Sequence, residues 1–138
     1  MALNLEVVSN SGVIWKGQAR ILIAPCTDGE LGILGGHAPL LATLKSGHLV
    51  IKPESGEDIH LYVSGGLLEV QPKIVTVLTD TALRAETLDE AALLSAKTQA
   101  EAALKDRTGR LDYALVQAQL IEMTMQLRSL ERLRQVKK

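Results

Sequence analysis

The sequence predicts an α+β chain: an all-β sandwich or barrel followed by an antiparallel two-helix hairpin. Three observations carry that expectation. Apolar residues recur with period two up to about Leu83, turn residues punctuate those runs, and beyond Leu83 the chain becomes Ala-rich with helical spacing. The expected division is 1–84 for the strand domain and 85–138 for the hairpin.

LNLEVVS sets Leu3, Leu5 and Val7 against Asn4 and Glu6, the alternation of a strand with one face on a core. ARILIAP is apolar on both sides and reads as a more deeply buried strand. HLVIKP and DIHLYVS alternate again. In the second, Ile59, Leu61 and Val63 take the core side and His60, Tyr62 and Ser64 the polar side. His48 and His60 both fall at polar-facing positions and are expected at the surface. KIVTVLTD is β-branched through its centre, which suits a pleated surface. Turn signals lie between the runs, in SNSG at 9–12, KSG at 45–47, PESGED at 53–58 and QPK at 71–73. The adjacent Gly65 and Gly66 mark a bulge or tight bend between strands.

In the helical part, TLDE at 87–90 fits a capping box, the Thr87 hydroxyl bonding the amide of Glu90 and the carboxylate reaching back. The first helix is expected over 88–104 and is broken by KDRTGR, where Gly109 accepts a left-handed conformation. The second is expected from Leu111 to near Val136, about 39 Å long. Tyr113, Val116, Leu120, Met123, Leu127 and Leu130 recur three and four apart, a coiled-coil-like seam. Leu93, Ala96, Ala100 and Ala103 repeat that spacing on the first helix, small residues against large. An Ala stripe buries little apolar area. The hairpin should be marginally stable by itself, able to dock, undock or extend.

Composition narrows the function classes. Of 138 residues, 46% are hydrophobic and 22% charged, an ordinary globular balance. Phe is absent, so the core is built from Leu, Ile, Val and Ala. The net charge of -1, with no basic block interleaved with aromatics, argues against nucleic-acid binding. Cys26 is the single cysteine, so neither an internal disulfide nor a thiolate cluster can form, and a reducing compartment fits. The start, MALNLEVVSN, lacks the basic and apolar regions of a signal peptide, and no apolar run approaches the roughly 20 residues that span a bilayer.

Charge is unevenly divided. Residues 1–83 hold five Lys/Arg and eight Asp/Glu, and residues 84–138 hold ten and eight, a balance of -3 against +2. The last eleven residues gather Arg128, Arg132, Arg134, Lys137 and Lys138 against Glu131 alone. Such an end complements the helix dipole or meets an acidic partner, and the sequence leaves both open.

Catalytic chemistry is not legible. His37 has Asp28 and Glu30 nearby in sequence, but one His and two carboxylates on a flexible loop make a poor zinc site. GELGILGGH matches neither phosphate-loop pattern, and no Ser or Cys stands in a nucleophile motif. A non-catalytic chain without cofactor or metal is expected. DGELGILGGHAPLL, Asp28 to Leu41, carries Leu31, Ile33 and Leu34 in what reads as a glycine-punctuated loop. Those side chains either fold back over the core or press against another molecule.

DGELGILGGHAPLLATLKSG and VSGGLLEVQPKIVTVLTDTALR, continued by LDEA, LDYA and QLRSLE, closely resemble the epsilon subunit of bacterial F-type ATP synthase. The likeness covers essentially the whole chain, in order. It implies a non-catalytic central-stalk rotor subunit, peripheral at the cytoplasmic face of the inner membrane through its complex, serving proton-driven ATP synthesis. The β-sandwich would bind the gamma subunit and sit on the c-ring, with Glu30, Leu31, Ile33, Leu34 and His37 in the ring-facing loop. The hairpin would switch between compact and extended states. Extended, it would meet acidic segments of the catalytic alpha and beta subunits through Arg128, Arg132 and Arg134 and block ATP hydrolysis. Moving a population from 1:99 to 99:1 takes about 5.5 kcal/mol, and an exposed ion pair supplies only about 0–1 kcal/mol. Apolar docking of the second helix must therefore supply much of the difference.

Two departures stand out. Some members bind ATP through a motif of the form [IL]-D-x-x-R-A, whereas here Leu88 and Asp89 are followed by Ala92 at the Arg position. That change removes a phosphate-pairing guanidinium. Gly35 also stands where relatives commonly carry Pro, making the loop less rigid. Two other functions compete with the rotor reading: a small-molecule (nucleotide) sensor whose hairpin closes on its ligand, and a free-standing sandwich adaptor with a coiled-coil arm. Thermal shift with ligand separates the first, and co-purification with gamma the second. Isothermal calorimetry of the chain with ATP is expected to give weak or no binding; a sub-millimolar dissociation constant would restore the sensor.

Overall fold

The computed structural model describes residues 2–105 and 113–136. The alternating segments form β1 (Leu3–Ser9), β2 (Gly12–Cys26), β3 (Gly29–Leu34), β4 (Leu40–Pro53), β5 (Ile59–Val70), β6 (Val75–Thr79) and β7 (Ala82–Arg84). Antiparallel pairings run β1 to β2, β2 to β4, β4 to β5 and β5 to β6, and a parallel pairing of β6 with β1 closes the ring. β3 adds to β2 and β7 to β5 outside that ring.

Period-two alternation does what it should. Leu3, Leu5 and Val7 point inward from β1 and meet Leu22, Ala24, Leu49, Ile51, Leu61, Val63, Leu68 and Val77 in one apolar cluster. No residue of either helix belongs to that cluster among the described residues.

Asp28–Leu41 is not the loop that its glycines suggest. Gly29 to Leu34 pairs residue by residue with Cys26 to Ile21, so most of the aliphatic stretch is strand. Within the stretch, strand is absent only at Asp28, which turns with Thr27, and from Gly35 to Pro39. Gly65 and Gly66 likewise lie within one strand rather than between two. β5 pairs with β7 over Leu61–Val63 and with β6 over Gly66–Val70, and the glycines mark the bend where it changes neighbour. Gly66 has φ +134°, and a Cβ there would stand 1.9 Å from the Leu78 carbonyl oxygen.

A 3-10 turn, Ala85–Thr87, leads into α1 (Glu90–Lys105), and α2 is Tyr113–Val136. The expected capping box is not what starts α1. Thr87 Oγ1 donates backward to the Arg84 carbonyl at 2.7 Å, and Asp89 Oδ1 accepts the Ala92 amide at 3.2 Å. The N-cap is thus Asp89, two residues later than Thr87, because the 3-10 turn holds the threonine. The KDRTGR break with Gly109, the expected start at Leu111, and Lys137 and Lys138 lie outside the described residues.

α2 packs against α1 on one side and against β4 and β5 on the other. The hairpin is therefore laid on the strand domain as a third layer. Among the described residues no helix is long and apolar enough to cross a membrane.

Gly66→Ala is expected to destabilise the chain by more than about 2 kcal/mol, since backbone strain at positive φ adds to a collision with a carbonyl that cannot move. Thermal unfolding by circular dichroism measures it, with a shift under about 2 °C contradicting the tight bend.

Candidate functional site

Two surfaces carry the residues that the sequence singles out, and they meet along α2. The first is β3 and the turn after it. Alternation there puts Ile33 in the core with no exposure, leaves Leu31 half-buried against that core, and turns Glu30 and Leu34 outward. Ile33 therefore caps the sandwich and presents nothing to a partner, a correction imposed by strand periodicity. Four residues of strand, about 13 Å, separate Glu30 from Leu34. His37 stays at the Leu34 end: its amide donates to the Leu34 carbonyl at 3.2 Å and its Nδ1 lies 2.7 Å from the Ala38 carbonyl oxygen. Leu34 and His37 flank a cleft of about 350 Å³ shared with Asn4 and Lys73. The expected five-residue patch is split in two.

Glu30, at the other end, faces the hairpin. Its carboxylate accepts from Arg132 Nη1 of α2 at 3.2 Å, across 102 residues of sequence. Both side chains are near half exposed, so the pair contributes about 0–1 kcal/mol. Arg134 reaches Glu90 at the start of α1, an exposed pair whose mutual hydrogen bond holds the Glu90 carboxyl below its usual range. Among the described residues Arg128 has no ion pair; it lines a cleft with Lys45, His48 and Arg132. All three arginines are exposed and close to the strand domain or to α1.

The second surface is the sheet under α2. Cross-strand partners share a face, and Ser46 with Ser64, His48 with Tyr62 and Val50 with His60 are such partners. α2 covers that face. His48 is 4% exposed and His60 9%, so neither histidine is at the surface as alternation suggested. The alternation is real, but the outer face has its own cover. His48 Nδ1 lies 2.5 Å from Ser129 Oγ of α2, and its Nε2 lies 2.8 Å from His60 Nδ1. Burial first, then the charges of Arg132 and His60, push His48 down to about 4. Tyr62 has no exposure, and burial together with Glu122 pushes its phenol up to about 12. Ser46, Glu122 and Gln126 approach the Tyr62 hydroxyl closely enough to bear on its ionisation, yet among the described residues it has no hydrogen-bond partner.

The helix residues that make this contact escaped the sequence reading. Glu122, Met125, Gln126, Ser129 and Leu133 fall three and four apart on one side of α2 and are mostly polar, so hydropathy does not register them. A signal was available on the sheet: Ser46, His48, Val50, His60, Tyr62 and Ser64 are outward positions without a single formal charge. The seam expected between helices occupies a different side, with Val116, Leu120, Met123 and Leu127 half-buried and Leu130 buried. The Tyr113 side chain lies outside the described residues. Asp89 and Ala92, the remnant of the nucleotide motif, are joined as cap and capped amide of α1.

Residues 2–85 match the family model of the ATP synthase delta/epsilon chain beta-sandwich domain. The chain is 51% identical over 134 residues to ATP synthase epsilon chain 1 of Methylococcus capsulatus, spanning 97% of this chain and 96% of that one. It is 48% identical to the ATP synthase epsilon chain of Nitrosococcus oceani over the same shares. Its fold is also that of a chain in the Euglena gracilis mitochondrial ATP synthase, with TM-score 0.74, 22% identity and coverage of 99% and 82% of the two chains. A chain in the central stalk/c-ring structure of the Tetrahymena thermophila enzyme gives TM-score 0.64 at 12% identity, covering 94% and 97%.

Tyr62→Phe should strengthen the contact between α2 and the sheet. Removing a buried hydroxyl that lacks a partner returns about 1–3 kcal/mol, readable as slower hydrogen exchange at amides of β5 beneath the helix. Faster exchange would mean that the hydroxyl is paired after all.

Proposed function

The chain belongs to the epsilon subunits of bacterial F-type ATP synthase, non-catalytic members of that complex, and from this premise we propose that it is a rotor-stalk clamp carrying a detachable brake. The strand domain, residues 1–84, grips gamma and stands on the c-ring. The hairpin, residues 85–138, leaves the sheet, rises along gamma and obstructs ATP hydrolysis at the alpha and beta subunits. The whole sits peripherally at the cytoplasmic face of the bacterial plasma membrane, held there by its complex during proton-driven ATP synthesis.

One observation carries this reading: the hairpin is laid on a finished fold. Among the described residues the apolar cluster of the strand domain contains none from a helix, so lifting the hairpin costs that core little. The centre of the surface it would uncover is mostly polar and without formal charge, with two imidazoles and a phenol that water satisfies at once. Such a contact is suited to release, unlike an apolar seam of the same area.

The exposed parts of the strand domain fit the clamp. Leu41, Leu67 and Leu78 stand out from neighbouring strands β4, β5 and β6, an aliphatic patch for a helical partner such as gamma. Leu34 and His37, without Ile33, make the ring contact, while Glu30 is shared between that end of the domain and Arg132.

Opposite signs test the brake in the catalytic head detached from its membrane ring, where ring contacts play no part. Replacing Arg128, Arg132 and Arg134 with Ala is expected to raise ATP hydrolysis severalfold, as does deletion of residues 86–138. Glu30→Gln, which only loosens docking, is expected to lower it. Unchanged hydrolysis in the deletion would remove the brake from the proposal and leave the clamp.

A further inference from the structure

We propose that His48, His60 and Ser129 form a proton-operated latch, in which uptake of one proton by the His48–His60 pair releases α2 from the sheet. The proposal rests on the detachable-hairpin reading above and adds the signal that works it.

The geometry comes first. The three side chains join β4, β5 and α2 in one buried hydrogen-bonded chain, Ser129 Oγ to His48 Nδ1 at 2.5 Å and His48 Nε2 to His60 Nδ1 at 2.8 Å. Ser129 is 1% exposed, so the chain is closed to water at its helix end. Two ring nitrogens at 2.8 Å share a single hydrogen, one donating and the other bare. The neutral cluster satisfies this in either direction. A first added proton makes His48 donate on both sides, to Ser129 and to His60, and creates an imidazolium that is 4% exposed to solvent. A second puts two N–H groups against each other, and the chain breaks.

The surroundings oppose the added charge on the His48 side. From α2 it faces Arg128 and Arg132, and from β4 Lys45, with the carboxylate of Glu30 on β3 already taken by Arg132. On the far side, Glu122 lies beside Tyr62. His60 borders a cleft with Glu57, Asp58, Arg84 and Glu86, and Asp58 is itself paired with Lys52 at 3.6 Å. Consistently, burial and the neighbouring cations hold His48 near 4 in the docked state. Once α2 lifts, water reaches the ring and its ordinary value of about 6.5 returns.

The sign follows from linkage. The docked form binds protons more weakly than the released form, so docking is at full strength above about pH 6.5. It weakens about tenfold for each unit below that, down to about pH 4. Acidification therefore frees the hairpin.

Thiol labelling of the full chain reads the equilibrium. Leu133→Cys places a thiol at a buried position of α2, and Ser55→Cys supplies an exposed control on the turn after β4. Cys26 is buried in the sandwich core in both. The labelling rate of the first relative to the second, with an uncharged aromatic disulfide, measures the released fraction at any pH. Between about pH 7.5 and 5.5, above the ordinary carboxylate range, that ratio is expected to rise about tenfold. It should stay flat when His48→Met and His60→Phe are added, apolar replacements that remove both partners together. A protected thiol whose labelling ratio ignores pH overturns the latch and leaves docking standing, and so does a tenfold rise that survives the double replacement. A thiol as reactive as the control at every pH overturns docking itself, and the latch with it.

Discussion

Where β4 runs from Ser46 to Val50 and β5 from His60 to Ser64, the outer face has no formal charge, and something has to lie on it. Ser46, His48, Val50, His60, Tyr62 and Ser64 are too polar for a core and too sparing of charge for a solvated surface. α2 meets them with residues of the same kind, Glu122, Gln126 and Ser129, leavened by Met125 and Leu133. The contact is thereby specific in its hydrogen bonds and modest in its hydrophobic driving force. It positions the hairpin over one patch of sheet without merging the two cores. The placement of Arg132 beside Glu30 follows from that seam.

The arginines illustrate the point. In the docked arrangement Arg132 is engaged with Glu30 and Arg134 with Glu90, so two of the three basic side chains are occupied within the chain itself. Both pairs are solvent-exposed and hold the hairpin only weakly. The docked hairpin keeps its charges loosely occupied, and a stronger acidic surface would draw them off.

Much of this was readable from the residues, for physical reasons that differ by element. One-sided burial writes a period of two, so Leu3, Leu5 and Val7, or Leu61 and Val63, announce their strands directly. Covering the other face writes nothing comparable when the cover is polar, which is why His48 and His60 looked like surface residues. Glycine density misled at Asp28–Leu41, because Gly29 and Gly32 sit in a strand added outside the closed ring. Thr87 and Asp89 offered two overlapping caps, and the short 3-10 turn decided between them. At the candidate site the residue types were legible and their grouping was not. Nothing local tells that Glu30 meets Arg132 across 102 positions, or that Ile33, between outward neighbours, turns in.

The closed ring of pairings has a mechanical meaning. A sheet with free edges fails one hydrogen bond at a time when its outermost strand is pulled sideways, like a zip. Here β1 is bonded on both flanks, to β2 and to β6, so a tangential pull on the barrel wall is borne by many backbone hydrogen bonds loaded together in shear. Torque entering through one wall would circulate around the hoop and leave through another with little distortion. The hairpin lies outside the hoop and contributes no strand to it.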